Sequence, residues 1–359
     1  CRYGWNAARA MREPSFWWRD AGAASSLLAP VAMAYGAVAG RRLGAHGWRA
    51  SVPVVCAGNL TVGGGGKTPT ALAVARILAL AGERPVFLTR GYGGRLAGPV
   101  RVDPARHRAL EVGDEPLLLA RVAPTIVARD RVAGARMAVD SDASVIVMDD
   151  GFQNPSVTKD LALLVVDGRR GIGNGRVIPA GPLRAPLQSQ LARGDAMVVI
   201  GMSPAAAAVV VDARARGMPV LYARLHPEPG LRATLASGQV LAFAGIADPQ
   251  KFFASLADAG ITVGATRSFP DHHRYTPAEA RALCDEADRN GLALVTTEKD
   301  LVRLTGDDQA AQLAARVHAL AVTLVFENEQ EFKSLVLERI AAARAKNDDE
   351  SKRIRNGKE

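Results

Sequence analysis

Val52-Pro53-Val54-Val55-Cys56-Ala57 runs into Gly58-Asn59-Leu60-Thr61-Val62, then Gly63-Gly64-Gly65-Gly66, then Lys67-Thr68-Pro69-Thr70. The first six residues are a short apolar run of the kind that forms a strand buried on both faces. Ala71 to Leu80 has alanine-rich helical character. Strand, glycine loop, Lys-Thr and helix together make a phosphate-binding loop. Glycines let successive backbone N–H groups point at phosphate oxygens, and the helix N-terminus adds its positive end. Lys67 is placed to reach the β- and γ-phosphates of a nucleotide, and the Thr68 hydroxyl to take a place on Mg²⁺. Pro69 is tolerated because a first-turn N–H has no intrahelical partner. One position departs from the usual spacing: Thr61 stands where a first glycine is expected. The bland alternative is a glycine-rich turn that only lets a helix pack on a sheet.

The 359-residue chain is long for one domain, and two are expected. Its composition is that of an ordinary globular protein, 48% hydrophobic and 23% charged. The net charge of +9 suits an anionic lipid, nucleic acid or phosphorylated partner, or reflects an arginine-rich composition and nothing more. Cys1, Cys56 and Cys284 lie far apart without metal-ligand spacing, which suggests neither a disulfide framework nor a zinc site and fits a reducing compartment. The chain begins at Cys1, and Met11 is a candidate start.

Residues 21–40 carry no charge. Phe16, Trp17, Trp18 and Arg19 precede them, and Arg41, Arg42 and Trp48 follow. As one helix the stretch would be roughly 30 Å long, about the hydrocarbon thickness of a bilayer, and its flanks suit an interface. A cleaved signal peptide fits poorly ahead of a nucleotide loop. A buried helix and a membrane-inserted or membrane-surface anchor both remain, and the expectation is a membrane-associated helix within 11–48.

Beyond the loop, strands and helices alternate. Strands are expected at Pro85–Arg90, Thr125–Ala128, Ser144–Met148, Leu161–Val166 and Ala196–Ile200, with a helix at about 131–140. That alternation predicts an α/β fold, a mainly parallel sheet flanked by helices. Periodicity lapses near Pro227-Glu228-Pro229-Gly230, a domain boundary. The expected units are a nucleotide domain over 49–228 and a smaller C-terminal α/β domain over 229–345. The second unit reads as Val240–Ala244, Ile261–Arg267, Leu292–Thr297 and one strand over Val317–Phe326, with helices at Pro249–Ala259 and Pro277–Arg289 and a closing helix from Glu329. Residues 346–359 read as a charged, disordered tail.

Ligands on such a sheet bind at the carboxyl ends of strands, and the polar clusters fall there. Asp149-Asp150 ends an apolar strand as a Mg²⁺-holding Walker B carboxylate does. Asp114, in Gly113-Asp114-Glu115-Pro116, is either a helix cap or a carboxylate base near a γ-phosphate. His272, in Pro270-Asp271-His272-His273, is either ordinary loop polarity or a catalytic partner. Arg90, Arg131 and Arg184 sit on strand-end loops suited to anions, although each alone is an ordinary surface ion pair.

Together these residues resemble one family, the tetraacyldisaccharide 4′-kinases, the lipid A 4′-kinases of Gram-negative bacteria. The likeness rests on Gly58-Asn59 with Gly63 to Pro69, on Thr89-Arg90-Gly91-Tyr92-Gly93, on Gly113-Asp114-Glu115, on Asp149-Asp150-Gly151-Phe152-Gln153 and on Gly181-Pro182-Leu183-Arg184. It continues through Phe243-Ala244-Gly245-Ile246, Phe269-Pro270-Asp271-His272-His273 and Thr296-Thr297-Glu298-Lys299-Asp300. It implies a kinase core with a smaller second domain, acting at the cytosolic face of the inner membrane. ATP would be bound by Gly63 to Pro69, with Mg²⁺ on Thr68, Asp149 and Asp150. Lys67, Asp114 and His272 would be catalytic, and Arg90, Tyr92, Arg131 and Arg184 would meet the lipid disaccharide. Asp114 would accept the hydroxyl's proton and His272 would orient it, the two meeting when the interdomain cleft closes. The implied partners are the lipid disaccharide and an anionic phospholipid surface, with no nucleic acid and no obligate protein partner. Two positions depart from the family pattern, Ala185 where a Glu is usual and Asn154 where a His is usual.

Two other readings stay open. A GTPase or metallochaperone would need a guanine-reading motif, and Thr297-Glu298-Lys299-Asp300 has Lys and Asp adjacent, the wrong spacing. A nucleotide-gated membrane adaptor would bind ATP without turnover.

Overall fold

The structure, a computed structural model, describes residues 13–228, 230–231, 235, 238–305 and 310–356. Met11 lies outside them. The nucleotide unit is a nine-stranded sheet in the order β13-β8-β7-β6-β1-β5-β2-β4-β3. Its strands are β1 (Val54–Asn59), β2 (Pro85–Thr89), β3 (Val100–Arg101), β4 (Thr125–Val127), β5 (Val145–Asp149), β6 (Leu161–Asp167), β7 (Ala196–Ile200), β8 (Val220–Pro227) and β13 (Val322–Phe326). Only the edge pairs β13/β8 and β3/β4 are antiparallel.

Every residue of β1, β5 and β6 is buried, because helices cover both faces. On one face, Ala71, Val74 and Leu78 of the helix Lys67–Leu80 share a cluster with Val55, Val147 and Phe332. On the other, Cys56, Ile146 and Leu164 pack with Leu43, Ala135, Leu191 and Val209. Each covering helix thus contributes an apolar stripe rather than an all-apolar surface, as expected of helices with one solvent face.

The second sheet is wholly parallel, in the order β10-β9-β11-β12, from β9 (Val240–Ala244), β10 (Val263–Ser268), β11 (Ala293–Thr297) and β12 (Val317–Leu320). Here the expectation of one strand over Val317–Phe326 is corrected. The chain completes β12, leaves the small sheet at Ala321, and enters the large sheet as β13 beside β8. The helix Glu329–Asn356 then lies on the large sheet, with Phe332, Val336 and Ile340 in the same cluster as Val55. The unit expected to run to residue 345 therefore keeps its own sheet only to Leu320. Of the tail expected to be disordered, residues 346–356 continue this helix, and 357–359 lie outside the described residues.

The uncharged stretch 21–40 is not one helix. A 3₁₀ turn (Ser15–Trp18) and a short helix (Ala23–Leu27) precede a second helix, Ala29–Leu43. Pro30, which has no N–H to donate, sits in the first turn of that second helix and marks the break. Among the described residues no helix is long and apolar enough to cross a membrane. Gly36 faces the body, where a Cβ would make only ordinary contact with Pro186 and Val177 at 3.5 and 3.6 Å. Leu27 at the end of the first helix and Val31, Met33 and Val38 on the second are in solvent, with Leu27 83% and Met33 74% exposed.

Candidate active site

The glycine loop joins β1 to the helix Lys67–Leu80. Gly66 caps that helix in the left-handed region at φ 89°, a conformation that favours glycine. Thr61, where the usual pattern has glycine, instead forms an antiparallel bridge with Leu183 and accepts from Arg184 Nε at 2.9 Å. The departure therefore ties the loop to the segment that carries Arg184.

β5 ends in the two acids. Thr68 Oγ1 donates to Asp149 Oδ2 at 2.9 Å, while Asp149 Oδ1 is buried without a partner. Burial pushes the Asp149 carboxyl up to about 7, with the nearby Glu115 charge adding to it. Among the described residues no cluster of three or more His, Cys, Asp or Glu is disposed to hold a metal. That suits Mg²⁺, which takes one or two protein oxygens and fills its remaining positions with water and phosphate. The orphan oxygen and the neighbouring hydroxyl fit it.

Asp150, at φ 55°, turns the other way. Its carboxylate faces Arg184 Nη1 at 3.0 Å and Lys67 Nζ at 3.7 Å. Burial would raise the Asp150 carboxyl, but Lys67 and Arg184 overcome that and hold it below its usual range. Burial depresses the Lys67 ammonium, opposed mainly by Asp150. Lys67 also reaches Gly63 O at 3.5 Å, so among the described residues its polar contacts are long ones.

Asp114 and His272 meet. His272 Nδ1, on the loop after β10, lies 3.2 Å from Asp114 Oδ2, at the start of the helix Asp114–Leu119. The two residues expected to meet across the interdomain cleft are together in this structure. Arg303 Nε donates to the same oxygen at 3.0 Å, and Lys299 Nζ pairs with Glu115 Oε1 at 2.5 Å. Burial would raise the Asp114 carboxyl; the His272 hydrogen bond and the Lys299 and Arg303 charges win and hold it well below the carboxylate range. The same hydrogen bond raises His272, against burial. Tyr92 lies against the His272 ring with centroids 5.1 Å apart, and both line a cleft of about 180 Å³ with Arg108, Arg274 and Arg303.

Of the expected anion binders, Arg90 and Tyr92 are exposed near the mouth. Arg131 is buried, donating to Ala128 O at 2.5 Å, and is therefore no surface ion pair. Ala185 is fully buried in the apolar cluster, so the carboxylate usual there has given way to a core methyl. Asn154 accepts from Ser156 N at 2.9 Å and serves a turn. Sequence reasoning missed Arg303 altogether. Its only signal is its place three residues after Asp300, one helical turn on the same face.

The sequence profile of the tetraacyldisaccharide-1-P 4′-kinases matches residues 24–341. A tetraacyldisaccharide 4′-kinase of Bradyrhizobium sp. (strain ORS 278) is 56% identical over 335 residues, which is 93% of this chain and 100% of the relative. That of Methylobacterium nodulans is 55% identical over 333 residues, 92% of this chain and 96% of the relative. Among solved structures, the "apo" form of LpxK from Aquifex aeolicus in complex with ATP superposes with a TM-score of 0.69 at 27% identity, covering 88% of this chain and 99% of that one. With a phosphate-binding loop after β1, paired acids after β5 and the Asp114–His272 dyad between the two sheets, this chain belongs to the tetraacyldisaccharide-1-P 4′-kinase family.

Proposed function

We propose that this chain transfers the γ-phosphoryl group of ATP to the 4′-hydroxyl of a tetraacylated glucosamine disaccharide 1-phosphate, a step of lipid A biosynthesis. The observation that carries this reading is the joining of two kinds of site. Lys67 and the Thr68–Asp149 pair suit a nucleotide's phosphates, and Asp114–His272 suits removal of a hydroxyl proton. Glu115 stands between them: its charge acts on Lys67 and Asp149, and it is paired with Lys299 beside the dyad.

Phosphoryl transfer passes through a loose transition state, so catalysis is mostly positioning and charge neutralisation. Gly63 to Gly66 turn backbone N–H groups toward the phosphates, and Lys67 exchanges its long contacts for phosphate oxygens. Asp149 and Thr68, with Asp150 beside them, would hold Mg²⁺, which when bound neutralises phosphate charge. Arg184, fixed by Asp150 and Thr61, faces the same space. The Asp114–His272 pair takes the acceptor's proton. Arg90 and Tyr92 at the mouth, with Arg131 behind them, favour the anionic disaccharide.

The acceptor is a lipid, and the exposed Leu27, Val31, Met33 and Val38 beside Arg41 and Arg42 suit helices lying in an anionic membrane surface. We place the enzyme on the cytosolic face of the inner membrane, where ATP is available. The test is ATP consumption in mixed micelles with and without the lipid disaccharide. Lipid-dependent ADP release matched by a new phosphomonoester on the lipid supports the kinase. Nucleotide binding without turnover supports the adaptor.

A further inference from the structure

The N-terminal arm reaches the glycine loop through Glu13, just ahead of the 3₁₀ turn Ser15–Trp18. Glu13 Oε2 accepts from Trp18 Nε1 at 3.1 Å and from Arg170 Nη1 at 2.9 Å. The Arg170 guanidinium also lies 4.6 Å from the centre of the Trp18 ring, a cation–π contact that holds it in place. The other oxygen, Oε1, packs on the loop: a Cβ placed on Gly63 would meet it at 2.2 Å. Gly63 is the residue whose carbonyl takes Asn59 Nδ2 at 3.1 Å and Lys67 Nζ at 3.5 Å. A carboxylate from the arm therefore stands against the loop residue that Lys67 touches.

A negative charge beside a polyphosphate site repels the ligand unless a cation neutralises it. Arg170 supplies that cation from the turn after β6, which Gly171 N closes on Asp167 O at 2.8 Å. β6 is the neighbour of β1 in the sheet, and this brings its turn beside the glycine loop. Arg170 Nε also lies 3.8 Å from Asp248 Oδ2, the acid that caps the helix Pro249–Asp258 of the second unit. Three residues on, Lys251 Nζ meets the nearly buried Asp167 Oδ2 at 3.0 Å. Arg170 thus touches the N-terminal arm and the second unit from a turn of the nucleotide sheet. Its pair with Glu13 joins side chains that are 30% and 22% exposed, and such a pair adds little to folding stability. Its consequence is expected in the ligand site instead.

We propose that Arg170 is a positioning residue of the nucleotide site: it neutralises Glu13 and holds it on Gly63. The arm then borders the glycine loop, and a bound triphosphate meets no uncompensated charge there. The proposal rests on the kinase reading above and adds to its ATP site a residue and a segment that the phosphate-loop pattern does not contain. Asn174 N donates to Trp17 O at 2.8 Å and fixes the arm to the chain just beyond Arg170. The arm continues into the helices that carry Leu27, Val31, Met33 and Val38. The segment that faces the membrane in the reading above is therefore continuous with one wall of the nucleotide site.

The experiment measures the Kd of a fluorescent N-methylanthraniloyl-ATP with Mg²⁺, and KM for ATP and kcat for lipid-dependent transfer. The proteins are wild type, Arg170→Gln, Arg170→Lys and the double variant Glu13→Gln/Arg170→Gln. Arg170→Gln leaves the Glu13 charge uncompensated, so it should raise Kd and KM about tenfold with kcat and Tm nearly unchanged. The double variant has lost the carboxylate as well and should recover most of the affinity, although it carries one more substitution. Arg170→Lys keeps the charge without the planar fork and should raise Kd about threefold. A wild-type Kd in Arg170→Gln, or a double variant no tighter than that single one, overturns the proposal and leaves Arg170 an ordinary ion pair. If Arg170→Gln does not fold, an Arg170→Lys protein with wild-type Kd overturns it equally. A wild-type protein that binds the analogue but transfers no phosphate would defeat the kinase reading alone, since the Kd comparison still tests Arg170.

Discussion

The two halves of the site differ in how many of their polar atoms are already engaged. On the glycine-loop side, among the described residues, Asp149 Oδ1 and Asn59 Oδ1 are buried without partners, and Lys67 has only polar contacts of 3.5 and 3.7 Å. On the second-domain side, Asp300 and Asp114 have donors on both carboxylate oxygens. The first half is built around something absent from the chain, and the second is built around itself. A buried, partnerless carboxylate costs stability, whereas a filled one holds the structure together. The difference predicts that equal chemical changes act oppositely in the two halves.

The largest effect should come from Lys67→Ala, with kcat falling on the order of a thousandfold and the fold intact. Steady-state transfer assays check it, and near-normal turnover would break the account of the open half.

Next comes a matched pair, Asp149→Asn and Asp300→Asn, compared by urea denaturation of the ligand-free protein. Asp300→Asn should cost about 3 kcal/mol, because it removes the charge from a buried, fully paired network. Asp149→Asn should be neutral or stabilising in the absence of ligand, and should abolish any added protection by Mg²⁺ and ATP. Equal destabilisation by the two would erase the contrast between the halves.

The smallest effect on chemistry, though not on location, is expected at the N-terminus. Deleting residues through Arg42 should move the protein from membranes to the soluble fraction. It should also lower Tm, because Ser25 Oγ donates to Ala180 O at 2.8 Å and Trp17 Nε1 to Pro179 O at 2.9 Å, on the segment leading to Arg184. Identical fractionation of truncated and full-length proteins would make these helices part of the body only.

The open half was legible in the sequence because its chemistry is local. Gly63 to Thr68 are contiguous, and Asp149-Asp150 ends an apolar run, so strand, turn and helix signals coincide with function. The strands at Pro85–Thr89, Ala196–Ile200 and Val240–Ala244 were legible for the same reason, each a short apolar run between turn residues. The engaged half depends on pairs 158 to 189 residues apart, such as His272 with Asp114 and Arg303 with Asp114, which no local pattern records. The resemblance to a family supplied Asp114 and His272, and Arg303 had no signal beyond its spacing from Asp300. The switch from β12 to β13 across Ala321 was hidden because both strands are apolar and separated by one residue. The helix extending to Asn356 was hidden by its charge, since a polar sequence reads alike as solvent-facing helix or as tail.

The most direct test of the account is a kinetic double-mutant cycle on Asp114→Ala and His272→Ala, with ATP affinity measured for each variant. A dyad already assembled across the domains acts as one unit. Each single change should then lower kcat on the order of a hundredfold, the double variant should be little worse than either, and ATP Kd should hardly change. Losses that multiply in the double variant, or a His272→Ala enzyme with normal kcat, would contradict it.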